Sequence, residues 1–483
     1  MSGVTLSAAQ RDRAVGVLLG TAAGDALGAG YEFNGPLAAN HPVDMIGGGL
    51  GSFEPGEWTD DTAMAVAIAE IAATGADLRS GAALDALARR WYEWSRTAKD
   101  IGVQTSSVLS AAALEGMSAD AVRAASAALH RRTGRTAGNG SLMRTAPVAL
   151  AYLGDEAALA EAARTVSELT HFDPEAGDAC VLWCAAIRHA VLTGALDVRV
   201  GLPLVDAGRR DRWAQRIAEA EAGRPADFSG RNGWVVAALQ GAWSAIAHTP
   251  VPDDDPAADR FRADHLRLAL EAAVRGGGDT DTVAAIAGGL LGAAHGASAV
   301  PAAWRLQLRG WPGIGTRELT GLAARIVGAA APDPADGRPA GAPLPAPVPH
   351  PHDDGVWIGA AGHLDRLPDG VGVVVSLCRV DPGRLPAGVS HLEVTLADPE
   401  PSAFALVDTV RAIEAARDSG QTVFVHCADA RRHTPAVAAL FAARRRALDV
   451  EQALAEVCAA LAAEPDEQLR ELLRRLHRAG VAG

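Results

Sequence analysis

The stretch Pro332-Asp-Pro-Ala-Asp-Gly-Arg-Pro-Ala-Gly-Ala-Pro-Leu-Pro-Ala-Pro-Val-Pro-His-Pro351 decides how the chain is organised. Each proline fixes φ and removes a backbone donor, so a run this dense is neither helix nor central strand. It reads as an extended, semi-rigid linker. The 483 residues then divide into a first domain over 1–330, a linker over 331–355 and a second domain over 356–483.

Upstream of the linker, Ala/Leu/Val patterns of helical period recur at 11–29, 61–74, 81–95, 103–116, 157–169, 176–193, 234–247, 264–275 and 282–297. Gly-, Asp- and Pro-rich turns separate them. Aromatic residues make up only 4% of the chain, so the core is built from Ala, Leu and Val, which suits closely packed helices. An all-α first domain is predicted. Downstream the period changes. Gly372-Val-Val-Val-Ser-Leu377, His391-Leu-Glu-Val-Thr-Leu396 and Gln421-Thr-Val-Phe-Val-His426 are short β-rich runs, with helical patterns at 402–418, 434–447 and 450–461. Strands alternating with helices predict a small α/β domain with a mostly parallel sheet.

Composition excludes several classes. Hydrophobic residues at 49% rule out wholesale disorder. Lys+Arg of 44 against Asp+Glu of 58, a net charge of −14, argues against direct nucleic-acid binding. Lys99 is the only lysine. The five cysteines, Cys180, Cys184, Cys378, Cys427 and Cys458, are scattered and odd in number, which fits a reducing cytoplasm rather than a disulfide framework. The apolar run Ala14–Ala23 stops at Asp25 and has no cleavage-site pattern, so no signal peptide is expected. The uncharged stretch Val283–Ala303 lacks apolar bulk and reads as a buried helix; no membrane association is expected.

Two helix starts carry the chemistry. Trp58-Thr-Asp-Asp-Thr-Ala-Met64 and Gly276-Gly-Gly-Asp-Thr-Asp-Thr282 each precede an apolar helix. Thr and Asp cap helices well, and one oxygen suffices for a cap. Here Asp60, Asp61, Asp279 and Asp281 offer four carboxylates, with hydroxyls from Thr59 and Thr282. If the two starts meet, two divalent cations would balance the charge, and all-oxygen ligands point to Mg²⁺, or Mn²⁺ as a substitute, rather than Zn²⁺. Asp25 interrupts the first apolar stretch in Gly24-Asp-Ala-Leu-Gly28, and Glu32 follows. Ala137-Gly-Asn-Gly-Ser-Leu-Met-Arg144 is a Gly-rich loop of a kind that presents N–H groups to anions. His171 lies in Thr170-His-Phe-Asp-Pro174.

Taken together and in this order, these segments resemble the ADP-ribosylglycohydrolase family over roughly residues 10–330. The resemblance implies an all-α fold with a two-metal centre in a cleft and Thr59, Asp60, Asp61, Asp279, Asp281 and Thr282 as ligands. It implies an ADP-ribosylated protein or small molecule as substrate. Asp25, Gly138, Asn139, Gly140, Ser141 and His171 would contact the ADP-ribosyl group. Asp60 and Asp61 would serve catalysis through the metals. Glu32 and Asp100 each occupy a position where members carry a mechanistic carboxylate, and the sequence does not choose between them. Cleavage of the ribosyl bond passes through an oxocarbenium-like state.

Val425-His-Cys-Ala-Asp-Ala-Arg-Arg-His-Thr-Pro435 lies between a strand and a helix, and over roughly 356–470 the chain resembles dual-specificity and tyrosine phosphatases. That resemblance implies Cys427 as nucleophile and Asp398 as general acid. The departures are chemical. His433 stands where the family has its phosphate-gripping Arg, Ala430 replaces a Gly, and Asp429 adds negative charge to the loop. A planar Arg fork grips phosphate bidentately and His does not. The expected role is a phosphatase fold without turnover, serving as a binding module. The alternatives are an ADP-ribose binder without turnover, a metal-dependent phosphohydrolase on nucleotides, or a bifunctional hydrolase and phosphatase.

Overall fold

The computed structural model describes residues 5–328, 346–386, 388–394, 396 and 402–481. They form two compact units. One holds the chain up to Pro250, His265–Val300 and the segment from Leu308; the other holds Val251–Asp264, Pro301–Gln307 and the C-terminal part.

The first unit is helical, with one small antiparallel hairpin, β1 (Arg309–Gly310) with β2 (Ile314–Gly315). At its centre lie α1 (Ala8–Gly28) and, here labelled in chain order, α2 (Asp60–Ala72), α3 (Pro174–Thr193) and α4 (Thr280–His295). Ser7 starts α1 with a capping box: its hydroxyl accepts the Gln10 N–H and the Gln10 side chain accepts the Ser7 N–H.

Along α1, glycines recur every fourth residue at 16, 20, 24 and 28, which places them on one face. That face lies backbone to backbone on α4. A Cβ at Gly20 would fall 2.1 Å from the Gly288 carbonyl oxygen, one at Gly24 2.0 Å from that of Ala284, and one at Gly28 2.4 Å from Asp281 Cα. Gly288 and Gly292 answer from α4 with equally close approaches. This contact sets the spacing between Asp25 on α1 and Asp281 in the first turn of α4. The expected buried helix within Val283–Ala303 is α4, every residue of which from Thr280 to Ala293 is buried. Among the described residues no helix is long and apolar enough to cross a membrane.

The second unit is a five-stranded sheet with helices. Strands β3 (Val348–His350), β4 (Asp353–Ala360), β5 (Val371–Ser376), β6 (Ser390–Glu393) and β7 (Thr422–Cys427) lie in the order β3-β4-β7-β5-β6. Only β3 is antiparallel to its neighbour. Val425 on the central strand pairs with Ile358 on one side and Val375 on the other. Helices α5 (Ala403–Asp418) and α6 (His433–Arg446) contribute Val407, Val410, Val437 and Leu440 to the core. Phe261 and Ala302, from the two segments contributed by the first part of the chain, are buried in the same core.

Strand β3 begins at Val348, inside the stretch read from sequence as linker, and β4 also starts within it. Pro349 is tolerated because β3 is an edge strand, where a missing N–H costs no ladder bond. Residues 331–345 of that stretch lie outside the described residues.

Candidate metal centre and the strand-end cysteine

Thr59 and Asp279 are the caps that open α2 and α4. The two starts meet beside the end of α1. Asp25, buried on α1, accepts the backbone N–H groups of Thr59 and Thr62, each at 2.9 Å. One helix thus caps the next through its side chain, and Thr59 makes no cap bond of its own. The Thr59 hydroxyl lies 2.9 Å from Asp61 Oδ2 and 3.5 Å from Asp281 Oδ2.

Oxygens of Asp25, Asp61 and Asp281 lie within 4.8 Å of one another, and so do those of Glu32, Asp279 and Asp281. Asp281 is common to both groups. Burial, reinforced by neighbouring carboxylates, pushes Asp60, Asp61 and Asp281 well above the usual carboxylate range. Glu32 is held up to about 7, first by burial and then by Asp279, Asp100 and Asp25. Asp25 is also raised by burial, against the bonds it accepts from Thr62 and Thr59. Asp61 Oδ1 is buried with no hydrogen-bond partner. An orphaned buried carboxylate oxygen amid further carboxylates is the donor set a hard divalent cation requires.

Asp60 is the exception among the four paired aspartates. It belongs to neither group and turns toward an adjoining cavity of about 630 Å³, lined also by Trp58, Trp94, Lys99, Asp100 and Trp311. Its Oδ2 accepts the Gly102 N–H at 3.4 Å. Thr282 is buried, its hydroxyl 3.9 Å from Met143 Sδ and its N–H bonded to Asp281 Oδ1 at 2.9 Å.

The Gly-rich loop reaches the same place. Asn139 Nδ2 donates to Asp279 Oδ2 at 2.7 Å and to the Asn232 carbonyl at 2.9 Å. Gly138 and Gly140 flank His171, whose Nε2 lies 3.2 Å from where a Cβ would sit on either. Ser141 faces inward and receives the Cys180 thiol at 3.6 Å. Asn232 went unread in the sequence. Its Oδ1 accepts the Asp279 N–H at 3.0 Å and its Nδ2 donates to the Gly277 carbonyl at 3.1 Å, bracing a turn in which Gly277 and Gly278 have φ of 80° and 77°. The polar turn Gly230-Arg-Asn-Gly233 before an apolar helix was the available signal.

In the second unit, Cys427 ends β7 and His433 begins α6. Ala430, where the phosphatase pattern has Gly, sits at a left-handed φ of 62°. Asp429 Oδ1 accepts the Arg431 N–H at 3.1 Å and lies 3.9 Å from Cys427 Sγ. Arg432 is paired with Asp466 at 3.0 Å. Asp398 lies outside the described residues.

A largely helical unit that gathers Asp25, Asp61, Asp279 and Asp281 at the ends of three helices, with Glu32 just beyond the first, has the features of a class of hydrolase, and the family comparison agrees. Residues 6–335 match the ADP-ribosylglycohydrolase family, and the chain belongs to it. It is 32% identical to the ADP-ribosylarginine hydrolase Tri1 of Pseudomonas putida, over 61% of this chain and 73% of that one. It is 29% identical to the ADP-ribosyl-[dinitrogen reductase] glycohydrolase of Rhodospirillum rubrum, over 62% of this chain and 90% of that one. The C-terminal region matches the crystal structure of human DUSP28 at 25% identity, covering 29% of this chain and 98% of that one with a TM-score of 0.26.

Proposed function

We propose that the chain is a metal-dependent hydrolase that releases ADP-ribose from an ADP-ribosylated acceptor by cleaving the ribosyl bond. The observation that carries this reading is the pair of carboxylate groups that share Asp281, one formed with Asp25 and Asp61 and the other with Glu32 and Asp279, together with a buried Asp61 oxygen that has no hydrogen-bond partner. Two Mg²⁺ ions, with Mn²⁺ able to substitute, would be held by Asp61, Asp279 and Asp281 with the Thr59 hydroxyl, and would fix ribose hydroxyls and acidify a bound water; Asp60 and Thr282, which lie outside both carboxylate groups, would reach an ion only by turning their side chains. Glu32, half-buried and held up to about 7, takes the proton of the attacking water. Asn139 keeps Asp279 in place, and Asp25 keeps the start of α2 in place. The Gly138–Ser141 loop and His171 receive the ADP-ribosyl group.

Both named relatives act on ADP-ribosylated acceptors, and one is an ADP-ribosylarginine hydrolase. The cavity beside Asp60 is lined by Trp58, Trp94 and Trp311 and by four carboxylates, Glu54, Glu57, Asp60 and Asp100, against two cations, Lys99 and Arg309, a balance that suits a guanidinium. We therefore favour an arginine-linked acceptor, with Asp100 facing it. The C-terminal unit serves as a binding module without phosphatase turnover. Five free cysteines fit a cytoplasmic location. Incubation with Arg-linked and Ser-linked ADP-ribosyl peptides in Mg²⁺ tests the reading. Release of free ADP-ribose from the Arg-linked peptide supports it. AMP as product would replace it with phosphohydrolysis, and tight binding without release would replace it with a binding protein.

A further inference from the structure

A buried relay ends on His171. Arg144 is buried, its guanidinium 4.0 Å from the Trp91 ring centroid. Its Nη1 lies 3.6 Å from Met64 Sδ and its Nη2 donates to Thr170 Oγ1 at 2.7 Å. Among the described residues no carboxylate pairs with it; the indole face and the hydroxyl hold the charge. A guanidinium only donates, so Thr170 Oγ1 is the acceptor in that bond. The hydroxyl then has a single hydrogen to give. Its one other partner is His171 Nδ1, at 2.8 Å. A hydroxyl also has two acceptor lone pairs, but if it accepted from Nδ1–H as well, its own hydrogen, on a fully buried side chain, would have no acceptor among the described residues. The arrangement that satisfies every group has the hydroxyl donating to Nδ1, and in a neutral imidazole the proton then sits on Nε2.

Burial and the Arg144 charge keep His171 well below the usual histidine range, so the ring is neutral at pH 7. Among the described residues Nε2 has no protein partner. It points between Gly138 and Gly140, where the absence of side chains leaves it open to whatever the loop holds.

We propose that Arg144 and Thr170 are positioning residues that lock His171 as its Nε2–H tautomer, so that it donates a hydrogen bond to a phosphate oxygen of the ligand at the Gly138–Ser141 loop. The identity of that ligand rests on the functional reading above; the tautomer does not. The opposite tautomer would aim a lone pair at the phosphate. The direction of one proton is thus set two residues away, by a group that can only donate.

The test is ¹⁵N NMR of histidine-labelled full-length protein, with His171→Gln to identify the signals, combined with calorimetric titration of ADP-ribose. The expected spectrum shows a neutral His171 with the proton on Nε2 in the ligand-free protein. Thr170→Val should abolish the single tautomer and weaken ADP-ribose binding by about tenfold, the scale of one lost hydrogen bond. Thr170→Ser, which keeps the hydroxyl, should restore both. A proton on Nδ1, a charged ring at pH 7, or Thr170→Val binding as tightly as wild type would overturn the proposal. An Nε2–H ring in a wild-type protein that binds no ADP-ribose would instead remove the functional reading and leave the tautomer lock standing.

Discussion

The carboxylate of Asp25 accepts the backbone N–H of Thr59 at 2.9 Å, so the end of one helix caps the beginning of another. The same carboxylate takes the Thr62 N–H, satisfying two of the donors that the start of α2 leaves open. Replacing a capping oxygen by a methyl group costs about 1–2 kcal/mol. Asp25→Ala should therefore lower stability by that amount and speed amide exchange at Thr59 and Thr62. Asp25→Asn, which keeps one acceptor oxygen, should leave one of the two amides protected. Unchanged exchange at both amides in Asp25→Ala would show that α2 is capped by something else.

The glycine face of α1 predicts a sharp contrast between two substitutions. Gly20→Ala places a methyl 2.1 Å from the Gly288 oxygen, and backbone there cannot swing aside. It should destabilise the protein by about 1–3 kcal/mol or more, and separate Asp25 from Asp281. Gly81→Ala meets nothing within 4 Å and lies in a helix, so it should be neutral or slightly stabilising. Thermal melts of the two variants decide the matter; equal melting temperatures would contradict the packing described.

Much of this architecture is legible in the sequence, and the omissions have physical causes. The apolar helices were readable by period: the pattern at 61–74 is α2 and that at 282–297 is α4. Helices rich in charged residues carry a weaker signal. Ala207–Ala222 and Glu467–Arg478 bury only narrow apolar stripes, and neither was read. Strand β3 is hidden because prolines dominate its local pattern, and β4 because Asp353, Asp354, Gly355 and Gly359 leave only a three-residue apolar run, while the edge position that makes Pro349 tolerable is a tertiary fact. The acidic residues were legible as a set. Their division was not: nothing local distinguishes Asp60, which faces the cavity, from Asp61, which faces the cluster. The four-residue glycine repeat of α1 was present in the sequence, and its partner Gly288/Gly292 names the contact that sets the spacing of Asp25 and Asp281.

Asp408 gives the second unit a pH dependence. It is buried, accepts the Ala302 N–H at 2.9 Å, and burial raises its pKa to about 6 despite Arg305. The folded state therefore holds the proton more tightly than the unfolded chain. The stabilisation is complete below about pH 4 and is lost as the pH rises through about 6, by about 3 kcal/mol at most. Denaturant melts across that window should show the second unit weakening in wild type. The slope should flatten in Asp408→Asn, and an equally steep slope in that variant would assign it to another group.

The loop at Cys427 should turn over aryl phosphates poorly. His433 replaces the bidentate cation, Arg432 is held by Asp466, and Asp429 opposes an incoming dianion. A missing oxyanion donor alone costs roughly 10²–10³ in rate. In the full chain, Cys427→Ser should leave any residual phosphatase rate unchanged, and Asp429→Ala/His433→Arg should raise it. A robust rate that disappears in Cys427→Ser would mean that Arg431 reaches the loop.

Asp281 belongs to both carboxylate groups, and its variant tests the central claim most directly. The measurement is ADP-ribose release from an Arg-linked ADP-ribosyl peptide by wild type and Asp281→Asn, each in Mg²⁺ and again after EDTA. The account predicts turnover only by wild type in Mg²⁺, with a loss of at least about a hundredfold in the other three conditions. Full turnover in EDTA, or a wild-type rate in Asp281→Asn, would contradict it.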